Sequence, residues 1–453
     1  MPMSLIVSDR FSLIIGLGKT GLACAQYLAL QGERFQVADS RQQPPFLAQL
    51  ITEQPDTPIH LGDFAHDLCL SASQIILSPG VSMQEPALLA AAKAGVPIRS
   101  DIDLFAQAAR SAGVPIVAIT GSNAKSTVTS LVGHMAKTAG IKVAVGGNLG
   151  EPSVSLLAGG VDLYVIELSS FQLESTTGLG ATVACVLNLS PDHMDRYPNL
   201  MAYHQAKHRI FQACKAVVVN GDDALTNPLV PATVSQTRFS LGDPDVGQFG
   251  LRLVGNEEWL VQGLRPIMAV EKMAMSGRHN IANALAALAL GQAVGLPMEA
   301  MVNSLTKFIG LSHRCELVAN INGADYINDS KGTNLGASVA ALNGLGPGLT
   351  GKIILVAGGK GKGADFSGLV APLLRYGKHV LLIGEDAQKI EQALLGQVPF
   401  SHAKDMQHAV DLAHQQALSG DLVLLSPACA SFDAYVNFEA RGDHFAHLVR
   451  RLA

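Results

Sequence analysis

The sequence has few charged residues, no excess of basic residues and no closely spaced cysteines. Charged residues make up 15% of the 453 residues and apolar residues 48%, which argues against a disordered chain and allows a large buried core. The net charge of −5 provides no basic field for nucleic acid. A chain of this length is expected to form about three domains.

The six cysteines are scattered along the chain and include no Cys-x-x-Cys pair. Their spacing therefore predicts neither a zinc site nor a disulfide framework. A reducing compartment inside the cell is the simplest setting for such a chain.

Signals for export and membrane insertion are also missing. Polar residues 8–10 precede the first apolar stretch, and no cleavable signal pattern follows them. The uncharged run at residues 280–298 is long enough to span a bilayer, but it contains polar amides, two glycines and a proline. Its alanines suit tight packing between helices, so we expect a buried helix there and a cytoplasmic protein.

The most informative stretch is Thr-Gly-Ser-Asn-Ala-Lys-Ser-Thr, residues 120–127, which joins an apolar strand to a helix with one apolar face. Backbone N–H groups at a helix N-terminus favour an anion. Lys125 could then contact outer phosphates, and the Ser126 hydroxyl could bind Mg²⁺. The loop predicts a nucleoside-triphosphate site, and an ordinary strand–helix turn that happens to contain Lys-Ser is the alternative.

This loop has alanine where the usual phosphate-binding pattern has glycine, at Ala124. A left-handed backbone at alanine costs roughly 1–2 kcal/mol relative to glycine, and the methyl group would crowd a phosphate. We therefore predict that the backbone of Ala124 is right-handed or extended.

A second nucleotide-binding pattern lies near the start of the chain. A strand leads into Gly-Leu-Gly-Lys-Thr-Gly at residues 16–21, and Asp39 ends the next strand at a distance that would let it hold a ribose hydroxyl. NAD and another nucleotide bound by the same turn both fit this pattern. The strand at residues 74–77 runs into a turn ending at Gly80, at the sheet edge where ligands of α/β folds collect.

Further candidates follow the strands of the central segment. Glu167 ends an apolar strand, where its carboxylate can reach a metal beside the phosphate loop. His193, between two aspartates, fits a metal ligand, a phosphate contact or a lone surface histidine. Lys207 lies on a predicted helix, where a solvated lysine is the default. Asn280 and Asn283 could contact a base edge or cap the alanine-rich helix.

Strands alternate with helices after residue 311, which predicts a third unit built on a parallel α/β sheet with functional residues at the strand ends. The predicted fold class is α/β with three domains: an N-terminal Rossmann-like sheet, a central P-loop mononucleotide-binding domain and a C-terminal Rossmann-like domain. We place them at residues 1–103, 104–310 and 311–453, with linkers near residues 101–104 and residue 310.

Together these motifs resemble the Mur ligases of peptidoglycan synthesis, and among them those that add D-glutamate. The resemblance covers essentially the whole chain. Six stretches carry it in this order: Thr-Gly-Ser-Asn-Ala-Lys-Ser-Thr, Glu-Leu-Ser-Ser-Phe-Gln, Asn-Leu-Ser-Pro-Asp-His-Met-Asp-Arg-Tyr, His-Asn-x-x-Asn, Asn-Asp-Ser-Lys-x-Thr-Asn and Ser-Pro-x-x-Ala-Ser-Phe-Asp.

The resemblance implies an ATP-dependent ligase that adds D-glutamate to UDP-N-acetylmuramoyl-L-alanine through an acyl phosphate, a cytoplasmic step of cell-wall synthesis. The three domains would bind the UDP-sugar, ATP and the amino acid in that order along the chain. Implied cofactors are Mg²⁺, as two ions, and a carbamate formed from CO₂ on Lys207, which would turn a cation that repels Mg²⁺ into an anion that binds it. We expect a monomer that binds neither nucleic acid nor membrane.

The same resemblance assigns roles to individual residues. The catalytic residues would be Lys125, Glu167, His193 and Lys207, and the metal ligands Ser126, Glu167, His193 and carbamylated Lys207. The ATP-binding residues would be Gly121, Ser122, Asn123, Ala124, Lys125, Ser126, Thr127, Asn280, Asn283, Arg314, Asp329 and Lys331. The UDP-substrate, in place of NAD, would contact Lys19, Thr20, Asp39, Ser40, Arg41 and Gly80, with Asn148 at the muramoyl part. D-Glutamate would contact Thr333, Lys362, Ser431 and Phe438.

Three competing functions remain open at this point. Another Mur-type amide ligase, or a folylpolyglutamate synthetase, would keep the ATP chemistry and change the substrates. A nicotinamide dehydrogenase would rest on residues 16–21 alone and would leave the phosphate loop unexplained. A non-catalytic nucleotide-binding regulator would bind ATP without turnover. Beside the glutamate pocket, Cys429 is predicted to be a small packed residue.

Overall fold

The computed structural model describes residues 10–452, so Ser8 and Asp9 lie outside the described residues. Three separate sheets of five, nine and six strands follow one another along the chain. The protein therefore has the three-part α/β fold that the sequence predicts. Each sheet falls within one of the three predicted segments, and the exact domain boundaries stay a prediction.

The first sheet is fully parallel and carries the N-terminal glycine turn. Its strands are β1 (Ser12–Ile15), β2 (Phe35–Asp39), β3 (Ile59–Leu61), β4 (Gln74–Leu77) and β5 (Ile98–Ser100). Its helices are α1 (Lys19–Leu30), α2 (Leu47–Glu53), α3 (His66–Ser71) and α4 (Pro86–Lys93). The strand order is β3-β2-β1-β4-β5. All four residues of β1 are buried, as expected for a strand covered on both faces.

Residues 101–104, where the first linker is predicted, form the first turn of the helix α5 (Asp101–Ser111). The Ser100 hydroxyl accepts a hydrogen bond from the Asp103 N–H, and the Asp103 carboxylate accepts one from the Ser100 N–H. This capping box starts the helix directly after β5. The chain therefore passes from the first sheet to the second through a regular helix.

The second sheet has nine strands, and the phosphate loop follows the third strand from one edge, β6 (Ile116–Thr120). The strands are β6 (Ile116–Thr120), β7 (Val143–Gly147), β8 (Leu163–Glu167), β9 (Val183–Val186), β10 (Ala216–Asn220), β11 (Ser235–Phe239), β12 (Phe249–Val254), β13 (Glu257–Gln262) and β14 (Arg265–Ala269). Their order is β14-β13-β12-β11-β10-β9-β6-β8-β7. Strands β12 to β14 form an antiparallel meander that extends the otherwise parallel sheet.

The helices of this second unit include the alanine-rich helix. They are α6 (Lys125–Thr138), α7 (Ser170–Ser175), α8 (Leu200–His208), α9 (Arg278–Ala293) and α10 (Met298–Leu305), with 3₁₀ turns at Ser153–Ala158, Arg209–Phe211, Ala224–Thr226 and Val270–Lys272. Ten residues of α9 are buried, which confirms the predicted buried helix. Within residues 10–452, no helix has the length and apolar character needed to cross a membrane.

The third sheet is parallel except at one edge, which corrects the prediction of a purely parallel sheet. Its strands are β15 (Glu316–Ile321), β16 (Ala324–Asn328), β17 (Ile353–Gly358), β18 (Gly377–Ile383), β19 (Phe400–His402) and β20 (Leu422–Leu425), in the order β15-β16-β20-β17-β18-β19. Edge strand β15 runs antiparallel to β16 because a tight turn joins the two.

The helices of the third unit cover both faces of its sheet. They are α11 (Leu335–Leu345), α12 (Val370–Tyr376), α13 (Ala387–Leu394), α14 (Met406–Gln416) and α15 (Phe438–Arg450), with 3₁₀ turns at Gly346–Gly348 and Phe366–Leu369. All six cysteines are free thiols, as predicted. Cys429 is fully buried, which confirms the interpretation as a small packed residue.

Candidate functional site

Two adjoining clefts contain most of the predicted site residues. The first cleft has a volume of about 690 Å³ and the second about 730 Å³. Both clefts are lined by Asn123, Ala124, Arg314 and Lys331, so they meet at the phosphate loop. A ligand lying in the second cleft would therefore have one end exposed in the first.

The residues predicted to bind the UDP-sugar, the metal and D-glutamate line the first cleft where they line a cleft at all, whereas the predicted ATP residues are shared between the two clefts. The first cleft is lined by Lys19, Thr20, Gly80, Ser122, Lys125, Ser126, Asn148, Glu167, His193, Lys207, Thr333, Lys362, Ser431 and Phe438. The second is lined by Thr127, Asn280, Asn283 and Asp329. Four predicted residues line neither cleft: Gly121, Asp39, Ser40 and Arg41.

The phosphate loop is fixed by Asn188, which follows the neighbouring strand β9. The Ser122 N–H donates to the Asn188 carbonyl oxygen at 2.9 Å, and the Asn123 N–H donates to the Asn188 side-chain oxygen at 2.8 Å. Helix α6 follows directly, with no side-chain hydrogen bond capping its N-terminus. The first N–H groups of α6 are thus available to an anion, as the sequence predicts.

The predicted backbone conformation of Ala124 is wrong. This residue is left-handed, with φ 65° and ψ −3°, at the position just before α6. Because Asn188 fixes the two preceding N–H groups, the turn into α6 must be made at this one residue. The loop therefore keeps the backbone of a glycine-containing phosphate loop and accepts a strain of roughly 1–2 kcal/mol.

Lys125 is folded back against its own loop. Its ammonium group donates to the carbonyl oxygens of Gly121 at 2.9 Å and Ser122 at 3.0 Å. Burial lowers the pKa of Lys125, and the carboxylates of Glu167 and Asp192 oppose that shift. A phosphate in the loop would offer this cation a stronger partner than two carbonyl groups.

Lys207 is buried, so the default interpretation of a solvated helix lysine is wrong. Its side chain is 1% exposed, and its amine donates to the carbonyl oxygen of Gly121 at 2.8 Å and to the Thr120 hydroxyl at 3.3 Å. The amine also lies 4.8 Å from the centre of the Tyr203 ring. Burial, followed by the nearby charge of Lys125, lowers the pKa of Lys207 well below its usual value.

Glu167 presents a buried carboxylate at the end of β8. The Asn148 amide donates to its Oε1 atom at 2.6 Å. Its Oε2 atom is buried and has no hydrogen-bond partner among the described residues. An unpaired carboxylate oxygen of this kind, close to the phosphate loop, suits a bound cation.

His193 sits in a loop packed against an aromatic ring. Its imidazole meets the Phe171 ring edge-on at 4.8 Å between ring centres, and the Arg196 guanidinium lies 4.3 Å from the centre of the same ring. The backbone of His193 is left-handed, with φ 58°. Burial lowers the pKa of His193 and outweighs the opposing charge of Asp192.

Asp192 joins the central unit to the C-terminal unit. The Asn334 amide donates to Asp192 Oδ2 at 3.0 Å and to the Asn123 side-chain oxygen at 3.1 Å. The Lys362 ammonium lies 3.5 Å from Asp192 Oδ1. No role could be assigned to Asp192 or Asn334 from the sequence, although both stand inside the quoted motifs; only the fold reveals that they meet.

Arg314, Asp329 and Lys331 of the C-terminal unit line the second cleft, and Arg314 also contacts the helix that follows the phosphate loop. The Arg314 guanidinium donates to the Ser126 hydroxyl at 2.6 Å. Burial raises the pKa of Asp329 to about 6, with Ser426 and Arg314 opposing. Burial lowers the pKa of Lys331 to about 8, and its ammonium lies 3.9 Å from the centre of the Phe438 ring.

The acidic residue that accompanies the N-terminal glycine turn is Asp39, and its carboxylate is hydrogen-bonded within the first unit. Asp39 accepts hydrogen bonds from the Leu17 N–H at 2.7 Å and from the Arg41 guanidinium at 2.7 and 2.8 Å. Burial alone would raise the pKa of Asp39, but these hydrogen bonds lower it to about 2. Lys19, at the mouth of the same turn, pairs with Glu151 of the second unit at 3.2 Å.

Within residues 10–452, no group of three or more histidine, cysteine, aspartate or glutamate side chains is arranged to hold a metal ion. A divalent cation would thus need ligands from other groups as well as Glu167. The Ser126 hydroxyl, phosphate oxygens and a modified Lys207 are the groups of suitable chemistry at this place.

Three family models match successive parts of the chain. They are described as Mur ligase MurD-like, N-terminal domain (residues 10–100), Mur ligase middle domain (residues 119–291) and Mur ligase, glutamate ligase domain (residues 313–429).

Similar proteins agree with these matches over the full length. The UDP-N-acetylmuramoylalanine--D-glutamate ligase of Marinobacter nauticus is 53% identical, covering 99% of this chain and 100% of the relative. The enzyme of the same name from Pseudomonas aeruginosa is 51% identical over 100% of both chains.

Two solved structures share the fold. A MurF ligase from Thermotoga maritima in complex with ADP has a TM-score of 0.63 at 15% identity, covering 98% of this chain and 96% of its own. The UDP-N-acetylmuramate-alanine ligase MurC from Thermotoga maritima has a TM-score of 0.58 at 18% identity, covering 98% and 100%.

Proposed function

Because this chain belongs to the Mur ligase family, we propose that it adds D-glutamate to UDP-N-acetylmuramoyl-L-alanine at the expense of ATP. This is a step of peptidoglycan synthesis, and we propose that the protein performs it in the cytoplasm as a monomer. The observation that carries the proposal is full-length identity of 51–53% with ligases of that name. The two clefts joined at the phosphate loop support it, because a ligase must bring three substrates to one point.

ATP would lie across the junction of the two clefts. Its adenine would reach Asn280 and Asn283 in the second cleft, and Arg314 and Lys331 would meet its phosphates where the clefts join. The uncapped N-terminus of α6 and the Lys125 ammonium favour the outer phosphates. The γ-phosphorus would then face the first cleft.

The described residues fit Mg²⁺ beside these phosphates. The free Oε2 atom of Glu167 and the Ser126 hydroxyl are oxygen ligands of the kind that Mg²⁺ prefers. We assign Glu167, Ser126, His193 and carbamylated Lys207 to its coordination. When bound, Mg²⁺ offsets the negative charge of the carboxylate and the phosphates that must approach each other.

Lys207 is proposed to carry the carbamate. CO₂ reacts with a neutral amine, and the lowered pKa of Lys207 provides that form. Adding a carbamate turns this buried amine into an anion that can bind a cation together with Glu167. This change removes the repulsion between Lys207 and Lys125, which is the second cause of the lowered pKa.

UDP-N-acetylmuramoyl-L-alanine and D-glutamate would both bind in the first cleft, the first against residues of the N-terminal and central units and the second against residues of the C-terminal unit. Lys19, Thr20 and Gly80 line it on the N-terminal side, next to Asn148, and are assigned to the UDP-sugar. We also assign Asp39, Ser40 and Arg41 to the uridine end, outside the cleft itself. The opposite wall carries the residues assigned to D-glutamate, which are Thr333, Lys362, Ser431 and Phe438. A lysine and two hydroxyls suit a substrate with two carboxylates.

The reaction follows from this placement. An oxygen of the L-alanyl carboxylate attacks the γ-phosphorus of ATP, giving an acyl phosphate and ADP. The D-glutamate amine then attacks the acyl carbon, loses a proton and expels inorganic phosphate. Positioning and charge stabilisation carry both steps, so no covalent intermediate with the protein is required.

Mass spectrometry of the product tests the proposal. Purified protein with UDP-N-acetylmuramoyl-L-alanine, ATP, Mg²⁺ and D-glutamate should form the D-glutamyl adduct and ADP. L-Glutamate and other amino acids should release little phosphate. Lys125→Ala should abolish product formation, whereas Lys137→Ala, at the exposed end of the same helix, should leave it unchanged. Phosphate release with another amino acid alone would favour a different amide ligase.

A dehydrogenase and a non-catalytic regulator gain no support from the site. A dehydrogenase would rest on the glycine turn at residues 16–21 alone and would leave the phosphate loop, with the buried Lys207 and the unpaired Glu167 Oε2 atom near it, unexplained. A regulator that binds ATP without turnover would not need an unpaired carboxylate beside a buried lysine. ATP binding without any product in the mass-spectrometric assay would favour the regulator.

A further inference from the structure

Ser426 opens the motif Ser-Pro-x-x-Ala-Ser-Phe-Asp, in which only Ser431 has been given a role. It follows directly after β20, and its side chain is fully buried. A buried serine hydroxyl needs a hydrogen-bond partner. The partner of Ser426 lies in the nucleotide site.

The register of the third sheet brings Ser426 to Asp329. Strands β16 and β20 are parallel neighbours in which Asn328 lies opposite Leu425. The next residue on each strand, Asp329 or Ser426, therefore leaves the sheet at the same edge. The Asp329 N–H donates to the Leu425 carbonyl oxygen at 2.8 Å, and the Ser426 hydroxyl donates to Asp329 Oδ2 at 2.7 Å.

Ser338 fixes the position of Ser426 by hydrogen bonds. Ser338, on α11, donates from its hydroxyl to the Ser426 carbonyl oxygen at 2.9 Å, and the two hydroxyl oxygens lie 3.0 Å apart. Both serines are fully buried. The Cys315 N–H donates to the other oxygen of Asp329 at 3.2 Å. The Asp329 carboxylate is thus held directly by the Ser426 hydroxyl and the Cys315 N–H, and Ser338 in turn holds Ser426.

The backbone of Gly332 packs closely against this carboxylate. A Cβ atom at Gly332 would lie 2.7 Å from the Ser426 hydroxyl and 2.8 Å from Asp329 Oδ2. The backbone of Gly332 therefore closes the side of the cluster. Asp329 itself lines the second cleft, together with Arg314 and Lys331.

We infer that Ser426, held by Ser338, is a positioning residue that orients the Asp329 carboxylate toward a ribonucleoside triphosphate in the second cleft. The inference rests on the proposed function for the identity of the nucleotide. A carboxylate that is already fixed can accept hydrogen bonds from a ribose without a further loss of side-chain entropy. A carboxylate that rotates freely must be immobilised when the nucleotide binds, which weakens the affinity. Ser426 acts on the nucleotide only through Asp329.

The charge on Asp329 depends on the same hydrogen bond. Burial raises the pKa of this carboxyl to about 6, and the Ser426 hydroxyl is the first group that opposes the rise, followed by Arg314 and Cys315. Without Ser426, the pKa of Asp329 rises further. Nucleotide binding should then weaken at a higher pH than in the unmodified protein.

The test compares Ser426→Ala and Ser338→Ala with the unmodified protein. We expect KM for ATP to rise roughly tenfold in Ser426→Ala, as for the loss of one hydrogen bond to a charged group. Ser338→Ala should give a smaller rise in the same direction. KM for D-glutamate should not change, and the acid limb of kcat/KM for ATP should move to higher pH. Ser426→Cys keeps a weak donor and should recover part of the loss.

Two controls separate this role from a general loss of stability. Ser304→Ala removes another fully buried hydroxyl, bonded to Thr138 at 2.9 Å away from the clefts. It should lower the melting temperature without changing KM for ATP. In an Asp329→Ala background, Ser426→Ala should add nothing to KM for ATP.

An unchanged KM for ATP in Ser426→Ala, or effects that add to those of Asp329→Ala, would overturn the inference. If Ser426→Ala does not fold, Ser426→Cys and Ser338→Ala decide by the same criteria. Calorimetric titration with ADP keeps the two proposals apart. Absence of D-glutamyl product from the unmodified protein would remove the proposed function, while weaker ADP binding in Ser426→Ala would still support the inference.

Discussion

Ala124 carries a left-handed backbone at the most constrained point of the phosphate loop. Glycine adopts this conformation without the steric cost that alanine bears. We therefore expect Ala124→Gly to raise the free energy of unfolding by roughly 1 kcal/mol, with activity retained. Thermal and urea unfolding would measure this. Ala139→Gly is the control, because Ala139 lies at the other end of α6 with φ −78° and glycine there should destabilise the protein. A loss of stability in both variants would show that the backbone of Ala124 is not strained.

Asp101 is a fully buried carboxyl at the start of α5, and neither of its oxygens has a hydrogen-bond partner among the described side chains. Burial, with a contribution from Asp103, raises the pKa of Asp101 from 3.8 to about 7. The Cys24 thiol of α1 is the other titratable group beside it. The folded state therefore holds this proton more tightly than the unfolded state does.

The stability that Asp101 contributes is present below its unfolded pKa and is lost as the pH rises through the folded pKa. Between about pH 4 and pH 7 the loss should approach about 1.4 kcal/mol per pH unit. The free energy of unfolding of Asp101→Asn, measured in urea, should lack this dependence on pH. The stability of the variant should therefore increase relative to that of the unmodified protein as the pH rises. Parallel pH profiles for the two proteins would show that Asp101 does not titrate in this range.

Lys207 offers a direct test of carbamylation. Protein freed of CO₂ and bicarbonate should lose activity and regain it when bicarbonate returns, because the buried amine can bind Mg²⁺ only as the carbamate. Carbon-13 NMR with labelled bicarbonate should show a carbamate signal. Lys207→Arg should lose both signal and activity, whereas Lys215→Arg, at an exposed lysine, should keep both. Full activity without CO₂ would remove the carbamate from the proposal.

At the scale of single elements, Asn334 performs two tasks at once. Its side-chain oxygen caps α11 by accepting from the Ala337 N–H at 2.9 Å, and its amide donates to Asp192 and Asn123 across the unit boundary. Asn334→Asp should keep the cap, since aspartate is an equally good N-cap residue. It should also place a carboxylate against Asp192.

We expect Asn334→Asp to leave the melting temperature nearly unchanged and to lower kcat by roughly tenfold, because the bridge loses a hydrogen bond to a charged group. Steady-state kinetics and calorimetry measure the two quantities. Asn199→Asp is the matched control, since Asn199 caps α8 from an exposed position. A large loss of stability in Asn334→Asp would show that its effect is on the helix and not on the bridge.

Elements with a strong local pattern could be predicted from the sequence. The strand predicted at residues 74–77 is β4, and the apolar strand predicted to end at Glu167 is β8. The buried helix predicted in the uncharged run 280–298 is α9, which ends at Ala293. The antiparallel meander β12 to β14 could not be predicted, because its strands are partly exposed and lack the continuous apolar run of a buried strand.

Some site residues could be found from local pattern and others could not. The phosphate loop and Glu167 stand at strand ends, where a single sequence is informative. The left-handed Ala124 was mispredicted because local steric cost favours another conformation, and the fixed N–H groups of Ser122 and Asn123 override it. The burial of Lys207 and the bridge from Asn334 to Asp192 depend on contacts between residues far apart in the chain.

At the scale of the whole molecule, the C-terminal unit contacts the central unit through helix α11, which packs against α9, and through polar side chains around the phosphate loop. Arg314 donates to Ser126, and both Asn334 and Lys362 contact Asp192. Contacts of this kind are weaker than a continuous apolar interface and can exchange with ligand groups. Gly310, with φ +100°, lies in the connection between α10 and β15.

We predict that the C-terminal unit rotates as a rigid body about the connection at Gly310. Closure would bring D-glutamate to the acyl phosphate and exclude water that would hydrolyse it. Small-angle X-ray scattering should show a smaller radius of gyration with an ATP analogue and UDP-N-acetylmuramoyl-L-alanine than without ligands. Asn334→Asp should stay expanded under the same conditions, because the carboxylates of Asp192 and the new aspartate repel each other. Identical profiles with and without ligands would rule out a rotation large enough to matter for catalysis.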